Sequence, residues 1–220
     1  MELPYLLSEE MAEVDRKAPE KYGVTVSRMM ENAGYQIADF IRSKYDEDTE
    51  IGFYIGKGNN GGDGLAAARR LHNWGFNISL ELITENLEGI RAEELKILRK
   101  LDADFVEELD NADVAVDCLI GYNLDGKPRS PFDKSIERIN KADEIVSVDI
   151  PTGIDADTGE AFQNHVRADK ILTLAMPKNG LKPLDVDTWV ADISVPTKIY
   201  RELGYNVSEL FQQSSRVYLD

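Results

Sequence analysis

The 220-residue sequence has one cysteine, Cys118, which excludes an intramolecular disulfide and any cysteine-rich zinc site. Its two histidines, His72 in an amphipathic stretch and His165 in a polar one, read as solvated side chains rather than catalysts or ligands. No stretch reaches the roughly 20 apolar residues of a membrane span, and the opening Met1-Glu2-Leu3-Pro4 has no basic segment ahead of an apolar run. The expected location is therefore cytoplasmic, with no membrane partner. Basic residues are few: 25 Lys and Arg against 41 Asp and Glu leave a formal charge of −16. That field opposes duplex nucleic acid and anionic lipid alike, so no nucleic-acid partner is expected, and an anionic ligand must be held by local donors. Repeats, low-complexity tracts and long Pro/Gly/Ser linkers are absent too, which makes residues 1–220 a single domain. A domain this size buries roughly 70% of the surface its unfolded chain exposes.

What is present is a rhythm. Met11, Val14 and Ala18 follow Ser8 at helical spacing, with Pro19 expected to end or kink that helix. Met29, Ala33, Ile37 and Phe40 predict a second helix over 27–45. Short apolar runs then alternate with amphipathic stretches: 51–55 before 65–74, 78–82 before 92–101, and 114–120 before 131–142. Ser130, Pro131 and Asp133 form a helix-start signal for the last of these. Further strands are expected at 144–148, 171–175 and 189–193. Near-continuous apolar runs such as Val114 to Val116 suit parallel strands buried on both faces. The predicted fold class is α/β: a Rossmann-like, doubly wound, mostly parallel sheet with helices on both faces, in three αβα layers.

The first strand runs directly into Gly56-Lys57-Gly58-Asn59-Asn60-Gly61-Gly62-Asp63-Gly64. A strand-to-helix turn this rich in glycine lets backbone approach a ligand and aims N–H groups at an anion, as a phosphate requires. It is no P-loop, because Lys57 precedes the turn and no Gly-Lys-Ser/Thr follows. An ordinary NAD dehydrogenase stays open, with Glu81, about 20 residues beyond Gly61, as the ribose-binding acid. In open α/β sheets ligands bind beyond the carboxyl ends of strands, so two further polar endings belong near this loop: 117–123 and 149–153. Asp117 lies in an apolar run and needs a partner. Asn60, Asp117 and Thr152 together offer hard oxygen ligands with one carboxylate, a set suited to a monovalent cation; backbone N–H groups would serve Asp117 equally. Lys178 follows a strand ending on the same side, within reach of an anion or of solvent.

These residues resemble the YjeF amino-terminal domain family, the NAD(P)HX epimerases. The resemblance runs from about Ser8 to Pro196 through Met30-Glu31-Asn32-Ala33-Gly34, the Gly58 to Gly64 loop, Asp117 to Pro128, Val148-Asp149-Ile150-Pro151-Thr152-Gly153, Ala175-Met176-Pro177-Lys178 and Asp192-Ile193. It implies that Asn59, Asn60, Gly61, Gly62, Asp63, Gly121, Tyr122, Asn123, Leu124, Asp125, Gly126, Lys127 and Asp149 contact the hydrated dinucleotide. It implies too that Asn60, Asp117 and Thr152 bind potassium, the hydroxyl of Thr152 replacing a serine. A homodimer is expected, and a separate NAD(P)HX dehydratase as functional partner, since this chain has no room for the fused one. The substrate is a hemiaminal whose epimerisation requires proton transfer, and Asp149 is the expected acid–base group; it would equally serve as an acceptor for a substrate hydroxyl. Two rivals remain at this stage, an NAD-dependent oxidoreductase and a non-catalytic dinucleotide-binding or dimerising module.

Overall fold

The computed structural model describes residues 3–110, 112–124 and 126–219. The chain opens with two helices, α1 (Ser8–Tyr22) and α2 (Val26–Arg42). There follow β1 (Ile51–Ile55), α3 (Asn59–Asn73), β2 (Ile78–Leu82), α4 (Ile90–Lys100), β3 (Asp104–Val106), β4 (Val114–Cys118), α5 (Phe132–Ile139) and β5 (Glu144–Val148). Then come β6 (Lys170–Leu174), β7 (Asp187–Ala191), α6 (Thr197–Glu202) and β8 (Arg216–Leu219). The strands form one sheet in the order β3-β2-β1-β4-β5-β6-β7-β8, parallel throughout except for the β7–β8 pair. The order reverses between β1 and β4, which opens a crevice at their carboxyl ends.

Side chains alternate across this sheet. Phe53, Ile55, Val116, Cys118, Val146, Val148, Leu172 and Leu174 enter the larger core beneath α1, α2, α3, α4 and α6. Tyr54, Ala115 and Ile145 enter a smaller core beneath α5. The three layers expected from sequence are present but unequal. Among the described residues no helix is long and apolar enough to cross a membrane.

Several boundaries differ from the sequence reading. Pro19 neither ends nor visibly breaks α1; it sits in the last turn, and the helix stops at Gly23 (φ +69°), whose N–H bonds back to Ala18 and Pro19. Ser130 is not the cap of α5. Pro131 holds the cap position with near-helical dihedrals and no side-chain cap bond is made. The short edge strand β3 has too few residues to show a period. Neither α6 nor β8 stands out by pattern; β8 is secured by Tyr218 against Trp189, ring centroids 5.1 Å apart. The largest difference concerns the glycine-rich segment, where α3 begins at Asn59 rather than near Leu65.

That shift has a packing cause. Within α3, a Cβ on Gly61 would stand 1.9 Å from the Gly56 carbonyl oxygen, and one on Gly64 2.7 Å from the Cys118 side chain. These glycines let the start of α3 lie against the Gly56 backbone and the Cys118 side chain, so their helix-weakening composition is overridden by tertiary fit.

Candidate active site

A cavity of about 350 Å³ opens where β1, β4, β5 and β6 end. Its floor is Gly58, Asn59, Asn60 and Asp63 from the start of α3, with Leu119 to Leu124 after β4, Asp149 after β5, and Leu174, Ala175 and Lys178 after β6. Met11 and Asp15 of α1 and Met29 and Met30 of α2 cover it. A larger groove, about 710 Å³, lies between the N-terminal segment and β8; Leu3, Tyr5, Leu210 and Tyr218 are among its walls, and it has none of these carboxylates.

Asp149 occupies the centre. It takes left-handed backbone geometry (φ +72°), which costs about 1–2 kcal/mol outside glycine and turns its carboxylate into the crevice. One carboxylate oxygen accepts from the Lys178 ammonium and from the Leu174 N–H at 3.4 Å; the other accepts from the Tyr122 N–H at 3.1 Å. Lys178 is 1% exposed and also donates to the Leu174 carbonyl at 2.9 Å and the Thr173 hydroxyl at 3.3 Å. The expected solvated alternative for Lys178 therefore gives way to a buried ion pair. Gly121 makes the close approach possible: a Cβ there would lie 2.9 Å from an Asp149 oxygen and 3.6 Å from Asn60.

Two other carboxyls face the same space. Burial, with the negative charges of Asp149 and Asp15, pushes the Asp63 carboxyl well above the usual carboxylate range, against the pull of Lys178. Burial also raises the Asp15 carboxyl, opposed by Lys178 and by a 2.6 Å hydrogen bond from the Tyr122 hydroxyl. The cavity thus combines one carboxylate paired with Lys178 and two whose carboxyls burial shifts upward.

Beside the cavity lies the potassium candidate. Asp117 is fully buried and accepts four hydrogen bonds: from Leu119 N–H at 3.2 Å, Ser147 hydroxyl at 2.9 Å, Thr152 N–H at 2.8 Å and Thr152 hydroxyl at 2.7 Å. Burial still raises its carboxyl above the ordinary range. Asn60 differs, because both polar atoms of its buried amide lack any hydrogen-bond partner. An unsatisfied buried amide costs about 1–3 kcal/mol, and its oxygen is a ready ligand for a hard cation. Among the described residues no group of three His, Cys, Asp or Glu side chains is set to hold a metal.

The family described as YjeF-related protein N-terminus matches residues 26–180. The chain belongs to that family. This YjeF-related domain is 34% identical over 204 residues to an NAD(P)H-hydrate epimerase of Dehalogenimonas lykanthroporepellens, covering 88% of this chain and 83% of that one. It is 31% identical to the NAD(P)H-hydrate epimerase of Plasmodium vivax, over 100% of this chain and 79% of that protein. The bifunctional NAD(P)H-hydrate repair enzyme of Archaeoglobus fulgidus is 33% identical, and there 88% of this chain matches 42% of the longer protein. In fold it superposes on the crystal structure of a yeast protein with a TM-score of 0.87 at 23% identity, covering 99% and 100% of the two chains.

Of the residues singled out in the YjeF-related sequence, Asn59, Asn60, Asp63, Gly121, Tyr122, Asn123, Leu124 and Asp149 line the cavity. Gly61 and Gly62 are buried in the first turns of α3, while Gly126 and Lys127 are exposed outside the cavity. Asp125 lies outside the described residues. Glu81 is unavailable as a ribose acid: it is 2% exposed and tied to Ser135, Arg138 and the Leu109 N–H beneath α5. His72 and His165 each bond a backbone carbonyl, Leu101 and Phe162, and neither lines the cavity. Cys118 is a buried core thiol that burial pushes upward, as expected of an unreactive one.

The α2 motif is explained as well. Met30 lines the cavity, Glu31 pairs with Arg69 and Arg70 of α3 at 2.6 and 2.5 Å, Asn32 donates to the Ile193 carbonyl at 3.4 Å, and Gly34 lies against Ala66. Sequence reasoning missed Asp15. Helical periodicity marked only the apolar face of α1, and the one available signal was its place one turn after Met11, on the edge of that face.

Proposed function

We propose that this domain is an NAD(P)H-hydrate epimerase, interconverting the R and S epimers of hydrated NADH and NADPH. The observation that carries the reading is the convergence of the α3 amino terminus, Asp149 with its buried Lys178, and the Tyr122 loop on one cavity. The relatives named as epimerases span most of this chain. Each part has a task. The free N–H groups at the start of α3 and its positive end suit the pyrophosphate. The methionine and leucine walls suit the nicotinamide ring, since 350 Å³ is smaller than a whole dinucleotide. Asp149 takes the proton of the water that adds in one direction and gives a proton to the departing C6 oxygen in the other, and Lys178 pairs with that carboxylate and orients it. The C6 oxygen takes up a proton and leaves as water while the ring nitrogen's lone pair forms the C=N bond of an iminium, and the water that adds from the other face gives up one proton as the π pair returns to nitrogen.

Potassium belongs to the same proposal. Asn60, Asp117 and Thr152 would hold it, and the unpartnered Asn60 amide supports the fit. A bound cation would supply positive charge beside the phosphate loop. The proposal extends to a cytoplasmic homodimer working in partnership with a dehydratase, a pairing that the name of the bifunctional relative supports. Neither rival is favoured: the acid needed for a dehydrogenase's ribose is sealed beneath α5, and a scaffold has no use for a buried Asp149–Lys178 pair.

The deciding experiment follows R- and S-NADHX chromatographically with purified protein. Acceleration over the spontaneous rate is expected, and Asp149→Asn is expected to lower turnover roughly 100- to 10,000-fold. Folded protein that binds the dinucleotide without accelerating its epimerisation would refute the reading.

A further inference from the structure

Epimerisation at one carbon requires oxygen to leave from one face and return to the other. A single carboxylate reaches one face well, so the second wall of the cavity becomes decisive. That wall is α1. Asp15 lines the cavity one helical turn after Met11, and the Tyr122 hydroxyl donates to its carboxyl at 2.6 Å. The backbone N–H of the same tyrosine donates to Asp149 at 3.1 Å. Tyr122 therefore holds one carboxyl at each end. Both carboxyls line the same cavity, Asp15 from α1 and Asp149 from the end of β5. The tyrosine ring lies alongside, 5.8 Å from the Lys178 ammonium.

The placement of α1 is built rather than incidental. Leu6 bonds Pro177 and Asn179 through its backbone at 2.8 Å each, and Ser8 bonds the Asp157 carboxylate at 2.6 and 2.8 Å. These ties fasten the start of α1 to the segment that carries Lys178 and to the loop between β5 and β6.

We propose that Asp15 is a second catalytic proton-transfer group, serving the face of the substrate ring opposite Asp149. The proposal rests on the epimerase reading and adds a residue to it. In one direction the Asp15 carboxylic acid protonates the C6 oxygen as the C–O bond breaks. The bonding pair leaves with the oxygen as water, and the nitrogen lone pair forms the C=N bond. Water then attacks the other face, giving its proton to Asp149 while the π pair returns to nitrogen. One proton has moved from Asp15 to Asp149 and none is created or lost; solvent exchange after product release resets the two groups, or the reverse turnover does. The raised Asp15 carboxyl and the Lys178-paired Asp149 suit this starting state. The groups facing Asp15 are Tyr122, Lys178 and Asp149, together with Asp63 of α3 and Tyr200 of α6, which feel its charge.

The test compares wild type, Asp15→Asn, Asp15→Ala with and without added formate, and Tyr122→Phe, measuring kcat and KM for NADHX epimerisation. Asp15→Asn is expected to lose roughly 100-fold or more in kcat with KM within about threefold. Formate is expected to restore at least about tenfold of the Asp15→Ala loss, which a structural role would not permit. Tyr122→Phe, which keeps the carboxyl, is expected to lose less than Asp15→Asn. An Asp15→Asn enzyme with near wild-type kcat overturns the proposal while leaving the epimerase reading intact. A Tyr122→Phe loss as large as that of Asp15→Asn overturns it too, by making Asp15 a support for the tyrosine. Failure of both Asp15 variants to fold has the same meaning. A wild-type protein without activity removes the epimerase reading and this proposal with it.

Discussion

Asp149 and Lys178 show how one residue's backbone, charge and burial combine. The left-handed φ of Asp149 turns its carboxylate back toward Lys178, whose ammonium has almost no access to water. Removing one partner of such a pair strands the other charge in low dielectric, at about 3–5 kcal/mol. Asp149→Asn should therefore lose on the order of 3 kcal/mol of stability as well as turnover. The double variant Asp149→Asn with Lys178→Met should recover most of that stability and none of the activity. Urea denaturation of the four proteins checks it, and additive losses would mean that the pair is not coupled in the fold.

Helix α3 meets its neighbours at backbone distance. A Cβ on Gly34 of α2 would lie 2.5 Å from the Ala66 Cβ and 2.9 Å from the Ala66 carbonyl carbon. Neither atom has a rotamer through which to retreat, so Gly34→Ala must separate α2 from α3 despite the better helix propensity of alanine. The expected cost is roughly 1–3 kcal/mol, read as a lower denaturation midpoint with an unchanged m-value. Since Met29 and Met30 cover the cavity from the same helix, KM should rise as well. A Gly34→Ala protein as stable as wild type would show that the helices have slack the structure does not suggest.

The candidate cation ligands come from three segments far apart in sequence: Asn60 in the first turn of α3, Asp117 near the end of β4 and Thr152 after β5. A ligand that needs all three binds the folded chain alone and stabilises it by mass action. Saturating potassium should raise Tm by a few degrees over choline at equal ionic strength, and Asn60→Ala should abolish most of that rise. Equal melting of the wild type in both salts would remove the cation site and leave the Asn60 amide in need of another partner. The −16 charge predicts a further rise with any salt, through screening of repulsion, which is why the comparison holds ionic strength fixed.

The α/β alternation, the parallel sheet and the loops at its carboxyl ends were legible in the sequence because apolar period and glycine punctuation are local signals. The Asn59 to Asp63 and Asp149 segments were legible for the same reason, as polar residues interrupting apolar runs. Periodicity left other features dark. The glycines of α3 look like a loop because what they make room for, the Gly56 backbone and the Cys118 side chain, is brought against them only by the fold. Asp15 looks like a surface charge, and Lys178 stays open between an anion and solvent, because the sequence does not say what covers them. Composition and spacing determined the elements and where ligands can approach. Which carboxyl is charged, which amide lacks a partner and which two residues grip one tyrosine were decided by tertiary structure alone, because desolvation and pairing depend on neighbours brought from distant positions in the chain.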